Sequence, residues 1–239
     1  DIDRLYQRGA RQFKFVDRTF NLKVDTSLAI LGYFLARIEA APEDPPFVHF
    51  ELIPDHLPDK LKAGIMKFPA GTLQFEIGIQ TFDPVTQARI SRRQKNDVAE
   101  ANIRWLHEHS QAHLHVDLIA GLPGEDVDSF AAGFDRLVRM GPHEIQFGIL
   151  KRLRGAPIAR HTLPHGLRFN PEPPYNILAT DVIDFATMQR LSRFARYWDI
   201  VANSGRYPRT TLLLLGESPF AHFLALSDWL YAKTKQTHA

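Results

Sequence analysis

The stretch FEIGIQTFDPVTQARISRR, residues 75–93, contains the pattern that decides the fold. It opens with an apolar, β-prone run that predicts a buried strand ending at Gln80. Asp83 then suits the N-cap of a helix, and Pro84 suits its first turn, where the missing proline N–H would have no partner in any case. Arg92 lies further along the same predicted helix. The segment is therefore a strand, a corner and a helix, with a glutamine at the strand end and an arginine beyond it.

Runs of the same character recur at intervals of roughly 25 to 40 residues, which is the length of a unit of one strand and one returning helix. The predicted strands are residues 13–17, 47–52, 73–79, 113–119 and 144–150. Amphipathic patterns between them predict helices that begin at Thr26 or Ser27, near Asp97, and at Asp128 or Ser129. Because crossovers between parallel strands are right-handed, such a series forms a doubly wound sheet or a curved barrel.

A polar residue marks the end of every predicted strand, which favours the barrel. These residues are Asp17, Glu51, Gln80, Asp117, and Lys151 with Arg152. In barrels the carboxyl ends of parallel strands build the functional site, and a polar side chain buried there without a partner would cost desolvation free energy. We therefore predict an α/β fold, a partial parallel (βα) barrel, with Gln80, Glu51, Asp117 and Arg92 grouped at its open end.

The two ends of the chain differ from this repeat. Residues 1–8 have the pattern of the end of a helix, with Gly9 after it, so we expect the barrel to lack its first strand. After residue 161 the strand period fails, and a proline-rich segment, 162–175, is predicted to be a loop that covers the barrel. Residues 176–239 are predicted to form an α-helical C-terminal subdomain. The expected division is thus 1–161, 162–175 and 176–239.

Composition restricts the class of protein. The hydrophobic fraction of 44% and the charged fraction of 23% are typical of a globular protein. The net charge of +2 is too small to indicate a nucleic-acid partner. No apolar stretch approaches the roughly 18 residues that span a bilayer, and the start of the chain does not resemble a signal peptide. We expect a cytoplasmic protein that acts on a small molecule, with no nucleic-acid or membrane partner; the oligomeric state stays open.

A second informative stretch, DLIAGLPGED, runs from Asp117 to Asp126. It predicts a strand and then a turn in which Gly121 and Gly124 allow a ligand to approach the backbone closely. The glycine spacing fits neither a dinucleotide-binding fingerprint nor a P-loop, so it does not indicate a nucleotide phosphate site.

Together these stretches resemble the radical S-adenosylmethionine superfamily, in the branch shared by oxygen-independent coproporphyrinogen oxidases and cobalamin-associated proteins. The resemblance rests on IGIQTFDPVTQARISRRQ (residues 77–94) and VDLIAGLPGED (residues 116–126). Two further segments, FKFVDRTFN (residues 13–21) and LKRLRGAPIARH (residues 150–161), are similar to that branch as well. The similarity covers most of the predicted barrel.

The resemblance implies a cofactor and the residues that bind it. It places Glu51, Gln80, Arg92 and Asp117 at positions that hold S-adenosylmethionine, with the arginine on the methionine carboxylate and the fourth-strand acid near the ribose. Asp17 and Arg18 lie where most members have a backbone ledge of two glycines and a glutamate for the amino group, and that ledge is missing. Gly121 is the glycine of close approach in the implied site.

The chain departs from the family in having no cysteine. Members hold a [4Fe–4S] cluster with three cysteines in a loop after the first strand, and many carry a cobalamin-binding domain. The resemblance therefore implies a C-terminal portion of a radical enzyme, inactive alone, whose full-length form cleaves S-adenosylmethionine to a 5′-deoxyadenosyl radical. Porphyrin-ring cyclisation and cobalamin-assisted methyl transfer are both compatible reactions. The catalytic residues and the substrate are not identified by the sequence.

Two other functions remain as alternatives. His113, His115 and Asp117 would share one face of a strand, and such a His-x-His pattern occurs in metal-dependent hydrolases. His113 would then lie deep in the barrel, and no second group of histidines and acids completes the ligand set, so we predict no metal site. A non-catalytic barrel that uses its C-terminal helices for docking is the other alternative.

Overall fold

A computed structural model describes residues 1–237, and its central feature is a five-stranded parallel sheet with the strand order β1-β2-β3-β4-β5. The strands are β1 (Gln12–Lys14), β2 (Phe47–Leu52), β3 (Leu73–Gln80), β4 (His113–Ala120) and β5 (Glu144–Ile149). In register, Val48 lies beside Leu73 and Glu51 beside Glu76. The predicted parallel α/β fold with C-terminal helices is confirmed.

Helices connect successive strands, as expected for parallel pairs. The connecting helices are α2 (Val24–Ala40), α3 (Asp59–Ile65), α4 (Pro84–Arg89), α5 (Asn96–His109) and α6 (Val127–Val138). Helix α1 (Ile2–Gln7) precedes β1, and α7 (Phe185–Trp198), α8 (Pro208–Leu215) and α9 (Pro219–Thr234) follow β5. The predicted cap of α4 is confirmed, because the Asp83 carboxylate accepts hydrogen bonds from the backbone N–H groups of Val85 and Thr86. Helix α6 begins earlier than predicted, since Asp126 caps it through the Ser129 N–H.

Helix α4 ends before Arg92, so the prediction that this arginine is helical is wrong. Ser91 adopts a left-handed conformation (φ 60°), its N–H donates to the Ala88 carbonyl at 3.1 Å, and the Arg92 N–H donates to the Gln87 carbonyl at 2.8 Å. This pair of bonds is a Schellman motif, which ends a helix by satisfying its last carbonyls. A serine in the position that usually holds glycine is why the sequence did not reveal the stop.

By its internal contacts the described chain divides into two compact units. The first comprises residues 1–79, 94–116 and 140–143, and the second comprises residues 80–93, 117–139 and, as far as the structure describes the chain, 144–237. In the first unit Phe50 is completely buried and packs against Phe15, Phe20 and Phe75, with ring centroids 4.6, 3.8 and 6.4 Å away. This aromatic cluster supports the strands β1, β2 and β3 from one face.

The second unit has a core of aromatic residues contributed by four elements. Phe134 on α6 is completely buried and makes edge-to-face contacts with Phe194 at 5.2 Å and Trp198 at 4.9 Å, both on α7. Phe147 of β5 and Phe220 of α9 close the cluster around the same ring. The C-terminal helices are therefore joined to β5 and α6 by a continuous apolar core.

The segment predicted as a covering loop contains some regular structure. Within residues 162–175, β6 (Arg168–Phe169) pairs antiparallel with β7 (Ile177–Ala179), which follows the segment. A short 3₁₀ helix, Pro157–His161, precedes the segment. Strands of two or three residues are too short to show the alternation of apolar and polar residues that identifies a strand, so the sequence indicated only a loop here. Within residues 1–237, no helix is long and apolar enough to cross a membrane.

The aromatic core of the second unit should control its stability. Replacing Phe134 with alanine is expected to lower the free energy of unfolding by roughly 3–5 kcal/mol, because it leaves a cavity among rings that cannot collapse into it. Phe185, on α7 but 56% exposed, provides the matched control: its alanine variant should stay within about 0.5 kcal/mol of the parent. Chemical denaturation of both variants measures the difference, and equal losses would contradict the assigned core.

Candidate functional site

Gln80, the last residue of β3, has an unusual backbone and an unusual side chain. Its φ angle is 69°, in the left-handed region that glycine favours. Its Oε1 atom is buried, and no described residue donates a hydrogen bond to it. Each feature costs free energy, roughly 1–2 kcal/mol for the backbone and roughly 1–3 kcal/mol for the buried oxygen. A non-glycine residue that keeps both costs is a candidate for a binding role.

The corner after Gln80 is held by a network of buried hydrogen bonds. The Asp83 backbone N–H donates to the Thr81 hydroxyl oxygen at 2.9 Å, and the Gln87 side-chain amide donates to the Thr81 carbonyl at 2.8 Å. Both Thr81 and Gln87 are buried, with 1% and 4% of their surface exposed. The end of β3 and the start of α4 are thereby fixed to each other.

Glu125 completes this network from the turn that follows β4. It is only 2% exposed, and its Oε1 atom accepts a hydrogen bond from the Thr81 hydroxyl. Its Oε2 atom is buried and has no hydrogen-bond partner among residues 1–237. Burial raises the pKa of Glu125 to about 7, against the opposing effect of the Thr81 hydrogen bond and with a further increase from the nearby charges of Asp83 and Asp126. The sequence did not point to Thr81 or Glu125, because burial of a single glutamate beside a glycine turn leaves no periodic signal.

The two glycines of the turn are required by geometry. Gly121 has φ 88°, and a Cβ atom there would lie 2.7 Å from Cγ2 of Ile177. Gly124 has φ 68°, and a Cβ atom would lie 2.3 Å from Nη1 of Arg89. That guanidinium donates to the carbonyl oxygens of Pro123 and Gly124 at 3.2 and 3.1 Å. The turn after β4 is therefore fixed to α4 by an arginine that only a glycine lets approach.

Arg92 follows this helix and is half-buried. Its backbone is held by the Schellman motif described above, and the segment before it is held by Arg160, whose Nη2 donates to the Arg89 carbonyl at 3.1 Å and to the Ser91 hydroxyl at 2.7 Å. Gln80, Arg92 and Asp117 all belong to the second compact unit. Their grouping at one ligand stays a prediction.

The sequence predicted that Asp117 ends its strand, but in the structure the strand continues beyond it. Strand β4 continues for three residues to Ala120, because Leu118 and Ala120 are buried and the ladder extends through the Leu150 N–H to the Ala120 carbonyl at 3.0 Å. Asp117 is instead a half-buried residue on the polar side of the strand, and the strand end carries alanine followed by Gly121.

The remaining predicted ligands, Glu51, Asp17 and Arg18, belong to the first unit. Glu51 is half-buried on β2. Asp17 lies beyond the end of β1 rather than in it, since the strand stops at Lys14. Its carboxylate accepts hydrogen bonds from the Thr19 hydroxyl and backbone N–H, which hold the pKa of Asp17 below its ordinary value. Asp17 therefore forms a turn, and Arg18 beside it is exposed.

Strands β2, β3 and β4 share one feature that a packed parallel sheet does not require. Buried and half-buried residues alternate along each of them, whereas parallel strands covered on both faces are usually apolar throughout. Most of the half-buried positions carry polar residues, namely His49, Glu51, Gln74, Glu76, Gln80, His113, His115 and Asp117, and the others carry Phe47, Gly78 and Ile119. In the first unit Glu76 lies 3.2 Å from the Lys14 ammonium and 3.1 Å from His49 Nε2. Each of these strands thus has one side on which polar side chains predominate.

The metal-hydrolase alternative receives no support from the geometry. In residues 1–237, no three histidine, aspartate or glutamate side chains are grouped so that they could hold a metal ion. His113 instead stacks on His143, with ring centroids 4.8 Å apart, and His143 Nδ1 accepts the Leu114 N–H at 3.0 Å. A histidine packed at the start of β4 is a structural residue.

The strained backbone at Gln80 can be tested by mutation. Glycine adopts φ 69° without steric cost, so Gln80→Gly should raise the free energy of unfolding by about 1 kcal/mol. Gln74 lies in the same strand with regular extended geometry, and Gln74→Gly should lower stability by roughly 0.5–1 kcal/mol. Denaturant titration of both variants gives the comparison. A similar loss in the two variants would show that residue 80 carries no strain.

Comparisons with known proteins agree with the fold and the motifs. Residues 164–239 match a family described as "Protein of unknown function (DUF4080)". The oxygen-independent coproporphyrinogen III oxidase of Cereibacter sphaeroides is 32% identical over 75 residues, which are 31% of this chain and 17% of the relative. The match therefore spans about a sixth of the length of that curated relative.

Two solved structures of the radical S-adenosylmethionine methyltransferase TsrM from Kitasatospora setae share the fold. The structure with tryptophan and the analogue aza-SAM has a TM-score of 0.59 and 17% identity, covering 73% of this chain and 35% of that chain. The structure with cobalamin and a [4Fe–4S] cluster has a TM-score of 0.58 and 15% identity, covering 98% and 53%. The chain thus shares its fold with these radical S-adenosylmethionine methyltransferase structures, and over 75 residues its sequence is similar to the oxygen-independent coproporphyrinogen III oxidases, as its motifs led us to expect.

Proposed function

We propose that this chain forms the S-adenosylmethionine-binding part of a radical enzyme. The observation that carries the proposal is Gln80: a glutamine with a left-handed backbone and a buried amide oxygen that lacks a partner among the described residues. An amide has two donors and two acceptors, so a ligand with both amino and carboxylate groups would satisfy it. The polar faces of β2 and β4 support the same conclusion.

The other predicted residues have side chains suited to separate parts of this cofactor. Arg92 would bind the methionine carboxylate, since its guanidinium is always charged and can donate two parallel hydrogen bonds. Asp117 would accept hydrogen bonds from ribose hydroxyls, and Glu51 from the amino group. Gly121 is retained as the proposed point of close backbone approach; its positive φ and lack of Cβ are required in any case by Ile177, which packs against it. Asp17 and Arg18 are the candidates for a replacement of the family's amino-group ledge.

The iron–sulfur cluster does not fit the residues of this chain. The 239 residues include no cysteine, so none of them supplies a thiolate ligand. We propose that cluster ligands come from sequence outside these residues and that the chain alone is inactive. In the full-length enzyme that we propose, the cluster together with S-adenosylmethionine would supply the 5′-deoxyadenosyl radical chemistry. The contribution of this chain would be to orient the cofactor and to exclude water around it.

The substrate is a small molecule in this proposal, with two reaction classes supported by different relatives. The coproporphyrinogen oxidase similarity favours an oxidation of a porphyrin precursor. The shared fold with a methyltransferase solved with cobalamin favours cobalamin-assisted methyl transfer. Substrate contacts are proposed to come from residues 162–175 and from the helices that follow them. Titration of the full-length protein with cobalamin would distinguish the two classes.

The carboxylate role of Arg92 gives a direct test. In full-length, cluster-loaded protein, Arg92→Ala should weaken S-adenosylmethionine binding by roughly 1.5–3 kcal/mol, because a charge-assisted bidentate contact is lost. Arg93, adjacent and exposed, is the matched control, and Arg93→Ala should bind normally. Isothermal titration calorimetry measures both affinities. If the Arg92 variant binds as tightly as the control, this arginine does not hold the carboxylate.

A further inference from the structure

Thr81 links two unfavourable features of the second unit. On one side it is bonded directly to Gln80, which has the left-handed backbone. On the other side its hydroxyl donates to the buried carboxyl group of Glu125. The same hydroxyl oxygen accepts the Asp83 N–H at 2.9 Å. Any movement of residue 80 towards an ordinary conformation would therefore displace Thr81 and disturb both of these hydrogen bonds.

The carboxyl group of Glu125 is poorly compensated when it is ionised. Glu125 Oε1 accepts a hydrogen bond from the Thr81 hydroxyl, and Glu125 Oε2 has no hydrogen-bond partner within residues 1–237. The charges of two acids act on it, Asp83 at the start of α4 and Asp126 at the start of α6. Two basic side chains lie beside the preceding residue, Gly124: the Arg89 guanidinium donates to its carbonyl, and His165 Nδ1 lies 3.3 Å from the position that a Gly124 Cβ atom would take. The neutral carboxylic acid fits this environment better than the carboxylate.

We propose that Glu125 is the positioning residue for Gln80: through the Thr81 hydroxyl it holds residue 80 in the left-handed conformation, and ionisation of the carboxyl group weakens this hold. The Thr81 hydrogen bond itself favours the carboxylate, but the cost of burying the charge with Oε2 unpartnered outweighs that gain, so the ionised corner opens more easily. The inference rests on the proposed function only for the identity of the ligand that Gln80 meets. The conformational link itself is a property of the chain and can be measured without cofactor.

The direction of the pH effect follows from the pKa of Glu125. Burial raises it to about 7 from an ordinary value of 4.5, so the closed corner binds a proton more tightly than an opened corner that exposes Glu125 to water. The closed corner, in which Thr81 donates to the buried Glu125, is favoured over the opened corner at low pH. The free energy that protonation contributes to the closed corner is lost between pH 4.5 and pH 7. With these two pKa values, the opening equilibrium should increase roughly tenfold between pH 6 and pH 8.

Hydrogen exchange of the Asp83 amide on the full 239-residue chain tests the link, because that N–H donates to the Thr81 hydroxyl oxygen. Its protection, corrected for intrinsic exchange, should fall roughly tenfold from pH 6 to pH 8. In Glu125→Gln the protection should be high and independent of pH, since the amide keeps an acceptor and cannot ionise. The intraresidue amide-to-Hα nuclear Overhauser effect of residue 80, strong at positive φ, should weaken with rising pH in the parent chain alone.

Two further variants separate positioning from a general loss of stability. Thr81→Val should remove the Asp83 protection at every pH, while Thr81→Ser, which retains the hydroxyl, should restore both the protection and its pH dependence. Asp128→Asn, an exposed acid in the first turn of α6, should behave as the parent. The proposal is overturned if Glu125→Gln keeps the parent's pH dependence, or if Thr81→Val leaves Gln80 and the Asp83 amide unchanged. Loss of cofactor binding in the Arg92 variant would bear on the proposed function without affecting either outcome.

Discussion

The chain leaves β3 through a glutamine whose φ angle is 69°, and the arrangement of the second unit around this corner depends on that conformation. The left-handed residue directs the backbone from the strand to Thr81, whose hydroxyl meets Glu125 and whose carbonyl meets Gln87 of α4. If residue 80 had an extended backbone conformation, the Thr81 hydroxyl would not reach Glu125 and the Thr81 carbonyl would not reach Gln87. The strain at one residue is thus compensated by hydrogen bonds of the next.

Polar groups of two different kinds occur among the buried and half-buried residues. Asn21, completely buried, has a satisfied amide: it donates to the Ile53 carbonyl at 2.8 Å and accepts the Ile53 N–H at 2.9 Å, which joins the loops after β1 and β2. Gln80 and Glu125 each retain a buried oxygen without a hydrogen-bond partner in the described chain. Satisfied groups of the first kind stabilise the fold, whereas groups of the second kind reduce stability and are retained where a ligand or a proton can complete them.

The sequence motifs around Gln80 and Gly121 predicted the local structure better than any single residue in them could. A strand that ends in glutamine, a capped helix start and a glycine turn are local features, and the structure contains all three. The extent of each element depended on packing instead. Strand β4 runs past Asp117 because Ala120 is buried in the second unit, and α4 stops before Arg92 because Ser91 takes a left-handed conformation that serine seldom adopts.

The sequence by itself determined the parallel α/β fold, the positions of β2 to β5 to within one residue, and the cap of α4, because hydrophobic periodicity and capping are local properties. Its resemblance to the radical S-adenosylmethionine superfamily rests on residues 77–94 and 116–126, which are local motifs as well. Only the tertiary structure decided that Glu125 is buried beside Thr81 and that its pKa is raised to about 7. Those two residues are 44 positions apart, and the burial of a carboxyl group depends on which elements pack around it, which no local pattern records.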